Sequence, residues 1–545
     1  MLGMMQAWPL TVDRILAHAA ERHGAREVVS RSVEGPIVRT DYARVHDRAR
    51  QVSALLTDLG IRPGDRVATL AWNNWRHLEV WYGIMGIGSV CHTLNPRLHP
   101  DQICWIINDA EDRVVFVDEP FAPLLLSRLD KAPSVERVIV LSSADRLDAD
   151  TAAAATAYED LIPAYRADCA WGGFSEETAC GLCYTSGTTG APKGVLYSHR
   201  SNYLHTLMCL QADVLGLSAN DVILPVVPMY HANAWGVVFA APAVGAKLVL
   251  PGGRLDGASV HELLETEGVT VSCAVPTVWS SLLQHLDETK ARLSTLKTVM
   301  IGGAACPEGV IRGFYDRYGV EVRHIWGMTE TSPVATCGAP GPGVGALPYD
   351  QQLPWRKKQG RPQLGCELKI VDDAGSRLPE DGRTFGRLMV RGPIVAGGYF
   401  KGAGQQILDG EGYFDTGDVA TIDPDGYMRI TDRAKDVIKS GGEWISSVDI
   451  ETLAASHPKA ALAAVIGVPH PKWDERPLLL VKLKPGAKAT REEFLAHLEG
   501  RIAKWWTPDE VLFVEEIPLG ATGKIDKKLI RAAYADYRLP GAGPA

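Results

Sequence analysis

Residues Tyr184 to Val195 read Tyr-Thr-Ser-Gly-Thr-Thr-Gly-Ala-Pro-Lys-Gly-Val, and this stretch decides how the rest of the chain is interpreted. Its glycines permit tight turns that bring backbone N–H groups close to anionic oxygens, and its hydroxyls supply further donors. The pattern differs from the common phosphate loop, because Lys193 follows Pro192 and precedes Gly194. A flexible polar surface loop is the alternative, but solvated loops rarely repeat glycine and hydroxyl so densely. We therefore predict a nucleotide-phosphate loop of a less common type.

Length and composition predict a multi-domain soluble enzyme. A chain of 545 residues is too long for one hydrophobic core, so two or three domains are expected. The net charge of -9 argues against a nucleic-acid groove. The first twenty residues have no basic segment and include Asp13, so we expect no secretory signal. A cytoplasmic location follows as an expectation.

Residues 222–246 carry no formal charge and are numerous enough to cross a bilayer. Three prolines, together with His231 and Asn233, interrupt this stretch. We therefore predict a buried strand, loop and helix here, and no transmembrane segment.

The ten cysteines are scattered along the chain and do not indicate a disulfide framework. Cys180 and Cys183 form a Cys-x-x-Cys pair, but no second pair or suitably spaced histidines accompany them. Buried thiols on the strand that precedes the phosphate loop are favoured over a metal or redox site.

Apolar runs at 113–117, 137–141, 247–250 and 298–301 alternate with amphipathic stretches of helical length. This order is typical of parallel sheets covered by helices, and it predicts an α/β fold. Ligands of such sheets bind where strands end and helices begin. A domain boundary is predicted near Asp432 to Lys439, where charges cluster before Ser440-Gly441-Gly442. The remaining residues have their own pattern of strands and helices.

Two further segments carry candidate chemistry. Trp326 to Ser332 places Glu330 among hydroxyls after a predicted strand, which suits a magnesium ion that keeps most of its waters and bridges phosphates. A capped helix start explains the same residues equally well. In Tyr413 to Asp418, the last carboxylate could accept hydrogen bonds from two ribose hydroxyls, although most Gly-Asp pairs are turns.

The order and spacing of these segments resemble the acyl-adenylate-forming superfamily of acyl-CoA synthetases, peptide-synthetase adenylation domains and luciferases. The resemblance covers nearly the whole chain and includes the hinge motif Asp432-Arg433-Ala434-Lys435-Asp436 and the lysine motif Gly520-Ala521-Thr522-Gly523-Lys524. It implies a large N-terminal domain at 1–431, a hinge at 432–436 and a small mobile C-terminal α+β domain at 437–545.

The resemblance also implies roles for individual residues. Catalytic roles fall on His231, Glu330, Lys435, the hinge residue, and Lys524. The implied nucleotide-binding residues are Thr185, Ser186, Gly187, Thr188, Thr189, Gly190, Lys193, Gly302, Gly303, Ala304, Ala305, Trp326, Gly327, Met328, Thr329, Asp418, Arg433 and Lys524. Thr185 and Glu330 would hold magnesium, and Ser440, Gly441, Gly442, Glu443 and Trp444 would line the path of coenzyme A.

Val227 to Trp235 is similar to the bacterial medium- and long-chain fatty acyl-CoA synthetases, a branch that includes ligases for the short thioether acid 3-methylmercaptopropionate. His231, Trp235 and Gly302 are the implied acyl-binding residues. In some family members a tryptophan at the position of Trp235 gates the acyl tunnel. An amino-acid substrate would need a carboxylate for its ammonium group, and Ala232 supplies none, so a simple carboxylic acid is favoured.

The resemblance predicts an AMP-forming acid–thiol ligase that uses ATP, Mg²⁺ and coenzyme A, and it implies a homodimer. Two alternatives stay open at this point: a ligase that loads a carrier protein, and a nucleotide-binding protein without turnover. A luciferase-like oxygenase is less favoured. The sequence does not reveal which acid is used, because one methylene in an apolar pocket is worth only about 1–3 kcal/mol.

Overall fold

The computed structural model describes residues 1, 3–185, 192–402, 406–440, 443–520 and 525–540. Within these ranges the strands form four sheets. The helices are numbered here in chain order: α1 Asp13–His23, α2 Tyr42–Asp58, α3 Trp75–Gly86, α4 Pro100–Ala110, α5 Ala122–Leu126, α6 Ala149–Ala154, α7 Tyr158–Leu161, α8 His199–Cys209, α9 Val237–Val244, α10 Gly257–Thr266, α11 Pro276–Thr289, α12 Glu308–Tyr318, α13 Pro342–Gly345, α14 Tyr349–Arg356, α15 Ser447–Ala455, α16 Arg491–Leu498 and α17 Lys527–Ala533.

Two large sheets form the body of the N-terminal part. The first contains β1 Glu27–Arg31, β2 Ile37–Asp41, β10 Val222–Pro225, β11 Lys247–Leu250, β12 Val271–Ala274, β13 Thr298–Ile301, β14 Glu321–Gly327, β15 Val334–Cys337 and β16 Arg361–Pro362. The second contains β3 Arg66–Leu70, β4 Val90–Thr93, β5 Val114–Val117, β6 Arg137–Val140, β7 Thr156–Ala157, β8 Ala179–Thr185 and β9 Lys193–Ser198. Most neighbouring strands in both are parallel, as the apolar runs predict.

A smaller antiparallel sheet follows, with β17 Glu367–Val371, β18 Gly386–Arg391, β19 Phe414–Ile422 and β20 Met428–Arg433. The last sheet contains β21 Ile438–Ser440, β22 Glu443–Ile445, β23 Ala460–His470, β24 Asp474–Leu483 and β25 Glu510–Phe513. Its core packs against α15 and α16 and is separate from the cores of the other sheets. The predicted fold class is therefore confirmed: a large part made of helix-covered sheets precedes a small α+β part.

The uncharged stretch at 222–246 forms strand β10, an irregular turn and helix α9, as predicted. Cys180 and Cys183 are both buried on β8. Among the residues that the structure describes, no helix is both long and apolar enough to span a bilayer.

Candidate functional site

The phosphate motif lies on an antiparallel hairpin at the edge of the second sheet. Strand β8 ends at Thr185 and β9 begins at Lys193, and the two residues are register partners. The Thr185 hydroxyl donates to the Lys193 carbonyl at 3.4 Å. Ser186, Gly187, Thr188, Thr189 and Gly190 lie outside the described residues. The hairpin thus places a hydroxyl and an exposed ammonium group at the end where the chain passes from β8 to β9.

Glu330 lies beside this hairpin in a short 3-10 turn, Thr329–Thr331. Strand β9 is attached to the turn, because the Tyr197 hydroxyl donates to the Thr329 carbonyl at 2.8 Å. The Glu330 side chain is 6% exposed. Burial raises the pKa of Glu330, whereas the Tyr399 hydroxyl, Arg433 and Lys193 act to lower it. The buried carboxylate therefore lies in a positive field.

Tyr399 is a functional candidate that the sequence analysis did not identify. Its hydroxyl donates to Glu330 Oε1 at 2.9 Å, and the ammonium of Lys193 lies 4.8 Å from the centre of its ring. The neighbouring backbone is attached on both sides, since the Phe400 N–H donates to the Gly194 carbonyl and the Ala396 N–H donates to the Glu330 carbonyl, each at 2.8 Å. Tyr399 therefore connects the phosphate hairpin with the predicted metal carboxylate.

The donor set of Glu330 and Thr185 fits a magnesium ion held mainly by substrate phosphates and water. It supplies hard oxygen donors and one buried carboxylate. Within the described ranges, no group of three or more histidine, cysteine, aspartate or glutamate side chains could hold a metal on its own.

Asp418 on β19 is the centre of a second group. Its Oδ2 accepts from the indole N–H of Trp326 at 2.9 Å, and its Oδ1 lies 2.9 Å from Nε of Arg433. Asp418 is 3% exposed, and Arg433 is its register partner on β20. Trp326, which donates to Asp418, lies near the end of β14, and the turn that carries Glu330 follows directly, so the two groups lie next to each other.

Gly327 and Met328 connect Trp326, which contacts Asp418, with the turn that carries Glu330, and the backbone is closely packed there. A Cβ on Gly327 would lie 1.8 Å from the Pro333 carbonyl oxygen, so only glycine fits there. The Met328 N–H donates to the same carbonyl at 3.2 Å.

The predicted adenine wall follows strand β13. Gly303 and Ala304 are exposed, Ala305 is half-buried, and Gly303 has a φ of +82° that suits glycine. The Ala304 carbonyl lies 3.3 Å from Nε2 of His324. Burial lowers the pKa of His324 to about 4, so this ring is neutral and supports the wall from behind.

The predicted acyl-binding motif forms a turn with an unusual backbone. After His231, the φ angles of Ala232, Asn233, Ala234 and Trp235 are 47°, 52°, 48° and 55°, and that of Gly236 is 78°. Left-handed conformation costs a non-glycine residue roughly 1–2 kcal/mol. Such strain concentrates at functional sites.

This turn positions Trp235 and the half-buried His231. A Cβ on Gly302 would lie 3.2 Å from Cη2 of Trp235 and 2.7 Å from Cγ1 of Ile325. Gly302 therefore leaves room for the indole ring, which brings the predicted acyl residue against the predicted adenine wall.

The hinge motif lies at the end of β20. The Ala434 N–H donates to the Gly417 carbonyl of the large part at 2.9 Å, whereas the Asp436 carboxylate pairs with Arg531 of α17 at 2.5 Å. Lys435 stands between these attachments. Partial burial lowers its pKa, with help from Arg531 and Arg433.

The predicted coenzyme A segment lies in the small part. Ser440 Oγ accepts from Arg476 at 3.3 Å, and Glu443 and Trp444 lie on β22. Gly441, Gly442 and Lys524 lie outside the described residues.

Family models match both parts of the chain: the AMP-binding enzyme model at residues 16–400 and the AMP-binding enzyme C-terminal domain model at residues 449–524. The chain belongs to the AMP-binding enzyme family. It is 49% identical to a 3-methylmercaptopropionyl-CoA ligase of Ruegeria lacuscaerulensis, over 98% of this chain and 99% of the relative. It is also 49% identical to a medium-chain-fatty-acid–CoA ligase of Ectopseudomonas oleovorans, over 99% and 98% respectively.

The chain is similar to a solved structure of ATP-bound MatB from Rhodopseudomonas palustris, with a TM-score of 0.81 at 25% identity. The match covers 96% of this chain and 99% of the MatB chain. The apo structure of the same protein gives 0.73 with the same identity and coverage. The predicted class, an AMP-forming acyl-CoA synthetase of this family, is confirmed by these relatives.

Proposed function

We propose that the protein activates an apolar carboxylic acid with ATP and transfers the acyl group to coenzyme A. One observation supports this proposal most strongly: four polar side chains that can bind phosphates and ribose lie close together, namely Glu330, Lys193, Arg433 and Asp418. The acid's oxygen attacks the α-phosphorus and pyrophosphate leaves. The thiol sulfur then attacks the acyl carbon, AMP leaves and the thiol proton is released.

Each residue of the site has a proposed task. Asp418 accepts hydrogen bonds from the ribose hydroxyls, and Arg433 fixes the orientation of its carboxylate. Lys193 stabilises the departing pyrophosphate, and Lys524 stabilises charge where the two anions meet. Magnesium bound at Glu330 and Thr185 would neutralise phosphate charge.

Lys524→Ala tests the assignment of the C-terminal lysine. We expect loss of acid-dependent pyrophosphate release with retained thioester formation from a supplied acyl-adenylate. Equal loss in both assays would refute the assignment.

For the acid, we propose a short thioether acid or a medium-chain fatty acid. The two curated relatives act on such acids, and the segment beside Trp235 is apolar, with Ala232, Ala234 and Val237 buried. An apolar pocket discriminates weakly between chain lengths.

A panel from 3-methylmercaptopropionate to a C16 fatty acid would test this proposal, with acyl-CoA and AMP measured together. Preference for charged or amino acids would contradict it.

The hinge at 432–436 is proposed to divide the chain into domains at 1–431 and 437–545. Support comes from Ala434 and Asp436, which are attached to opposite parts while Lys435 lies between them. We further propose coenzyme A passage along residues 440–444, a homodimer and a cytoplasmic location, as the family resemblance implies. Sedimentation equilibrium and cell fractionation would check the last two.

A further inference from the structure

A buried polar network joins the last strand of the large part to the first helix of the small part. Asp432 on β20 is 1% exposed, and its Oδ2 accepts from the backbone N–H of Ser447 at 2.6 Å and from the Ser447 hydroxyl at 2.5 Å. Ser447 is the first residue of α15, so the carboxylate also lies at the positive end of a helix dipole.

Lys527 brings a positive charge to this network. Its ammonium donates to the Ser447 hydroxyl and lies 2.9 Å from Oε1 of Glu451, with Lys527 and Glu451 10% and 13% exposed. A continuous chain of hydrogen bonds therefore runs from Lys527 through Ser447 to Asp432. Glu451 is fixed in turn by the Val465 N–H of β23, at 2.7 Å.

Two further contacts lie beside the network. The Ser446 hydroxyl donates to the Thr431 carbonyl, and Arg429 on β20 pairs with Asp449 on α15. The contacts of Ser447 with Asp432, of Ser446 with Thr431 and of Asp449 with Arg429 join residues that follow Lys435 to residues that precede it, whereas Lys527 and Glu451 contact only residues that follow it. A change in orientation about Lys435 would therefore separate the buried Asp432 from its partners, and a buried charge without partners is costly.

The chain matches the ATP-bound form of MatB more closely than the apo form, with TM-scores of 0.81 and 0.73 at equal identity and coverage. The contacts described above therefore belong to a chain that, as a whole, is more similar to a nucleotide-bound relative.

We propose that Asp432, Ser447 and Lys527 form a latch that holds the small domain in the orientation used for adenylation, with Lys527 as a positioning residue for that half-reaction. The proposal rests on the proposed function. Lys527 is only three positions after Lys524 in the sequence, so the latch also anchors the chain that carries the predicted catalytic lysine.

The test separates the two half-reactions in Lys527→Met, which keeps side-chain length and removes the charge. We expect acid-dependent ATP–pyrophosphate exchange to fall at least tenfold, and thioester formation from a supplied acyl-adenylate to fall less than twofold. Lys528→Met is the matched control, because this neighbouring lysine is exposed, and both activities should stay within twofold of the parent. Equal losses in both half-reactions, or no loss in either, would overturn the latch.

Asp432→Asn is a second variant that keeps the test valid if Lys527→Met misfolds, because asparagine keeps the shape of the side chain and an acceptor oxygen. It should lower exchange about threefold without changing thioester formation, and an even loss would again contradict the latch. Small-angle X-ray scattering reads domain arrangement without turnover: the Lys527→Met profile should depart from the parent profile, and an unchanged profile would overturn the latch. A parent protein without acid-dependent exchange would instead refute the proposed function.

Discussion

At the scale of single residues, Asp418 is predicted to decide nucleotide affinity. Asp418→Asn keeps the shape of the side chain but removes the charge that holds Arg433 and that we propose accepts hydrogen bonds from the ribose. A hydrogen bond to a charged group is worth about 1.5–3 kcal/mol, so AMP should bind roughly 10- to 150-fold more weakly. Calorimetric titration with AMP measures this directly.

Asp415→Asn is the control for this change. Asp415 lies on the same strand but pairs with Arg387 at 2.8 Å, away from Trp326. Its substitution should change AMP affinity less than twofold, and similar losses in both variants would argue against the role of Asp418.

Tyr399 has a second residue-scale prediction. Tyr399→Phe removes the hydrogen bond to Glu330 and keeps the ring under Lys193. The carboxylate then loses its orientation, so the magnesium concentration for half-maximal activity should rise about three- to thirtyfold.

Tyr413→Phe is the matched control, because that hydroxyl contacts Glu367 instead. It should leave the magnesium requirement unchanged. An unaltered requirement in Tyr399→Phe would show that Tyr399 does not orient the metal carboxylate.

At the scale of elements, the left-handed turn after His231 is the most constrained segment of the acyl motif. A Cβ on Gly236 would lie 2.7 Å from the ring of the buried His205. Gly236→Ala should therefore lower stability by about 2–4 kcal/mol, combining backbone strain with a steric clash, and it should raise KM for the acid.

Gly268→Ala is the control that separates the cost of backbone strain from the cost of a steric clash. Gly268 also has a positive φ, +66°, but nothing lies within 4 Å of its Cβ position. It should cost about 1 kcal/mol and leave KM unchanged. Thermal unfolding and acid-dependent kinetics check both variants, and equal effects would contradict a special role for the turn.

Sequence reasoning predicted elements better than their contacts. The strands at 137–141, 247–250 and 298–301 match the structure closely, because apolar runs and their spacing carry that information. No sequence pattern indicated Tyr399, because only the folded conformation of its loop brings it close to Glu330. The left-handed turn could not be predicted from the sequence either, because residues such as Ala232 and Trp235 do not favour positive φ.

At the scale of the whole molecule, Lys435 is predicted to be the pivot. Lys435→Pro fixes one backbone dihedral and restricts the preceding Ala434. Thioester formation should fall at least tenfold while adenylation falls less, because in the proposed mechanism only the second step requires the domain to reorient. Separate assays of the two half-reactions measure the ratio, and parallel losses in a folded variant would refute the pivot.

The central claim is that a carboxylic acid is activated as an adenylate. An acid labelled with ¹⁸O in both carboxyl oxygens tests it directly, because the attacking oxygen stays on phosphorus when the thiol displaces AMP. We predict acyl-CoA together with AMP that carries one ¹⁸O, detected by mass spectrometry. Label in inorganic phosphate, or AMP without label, would contradict the account.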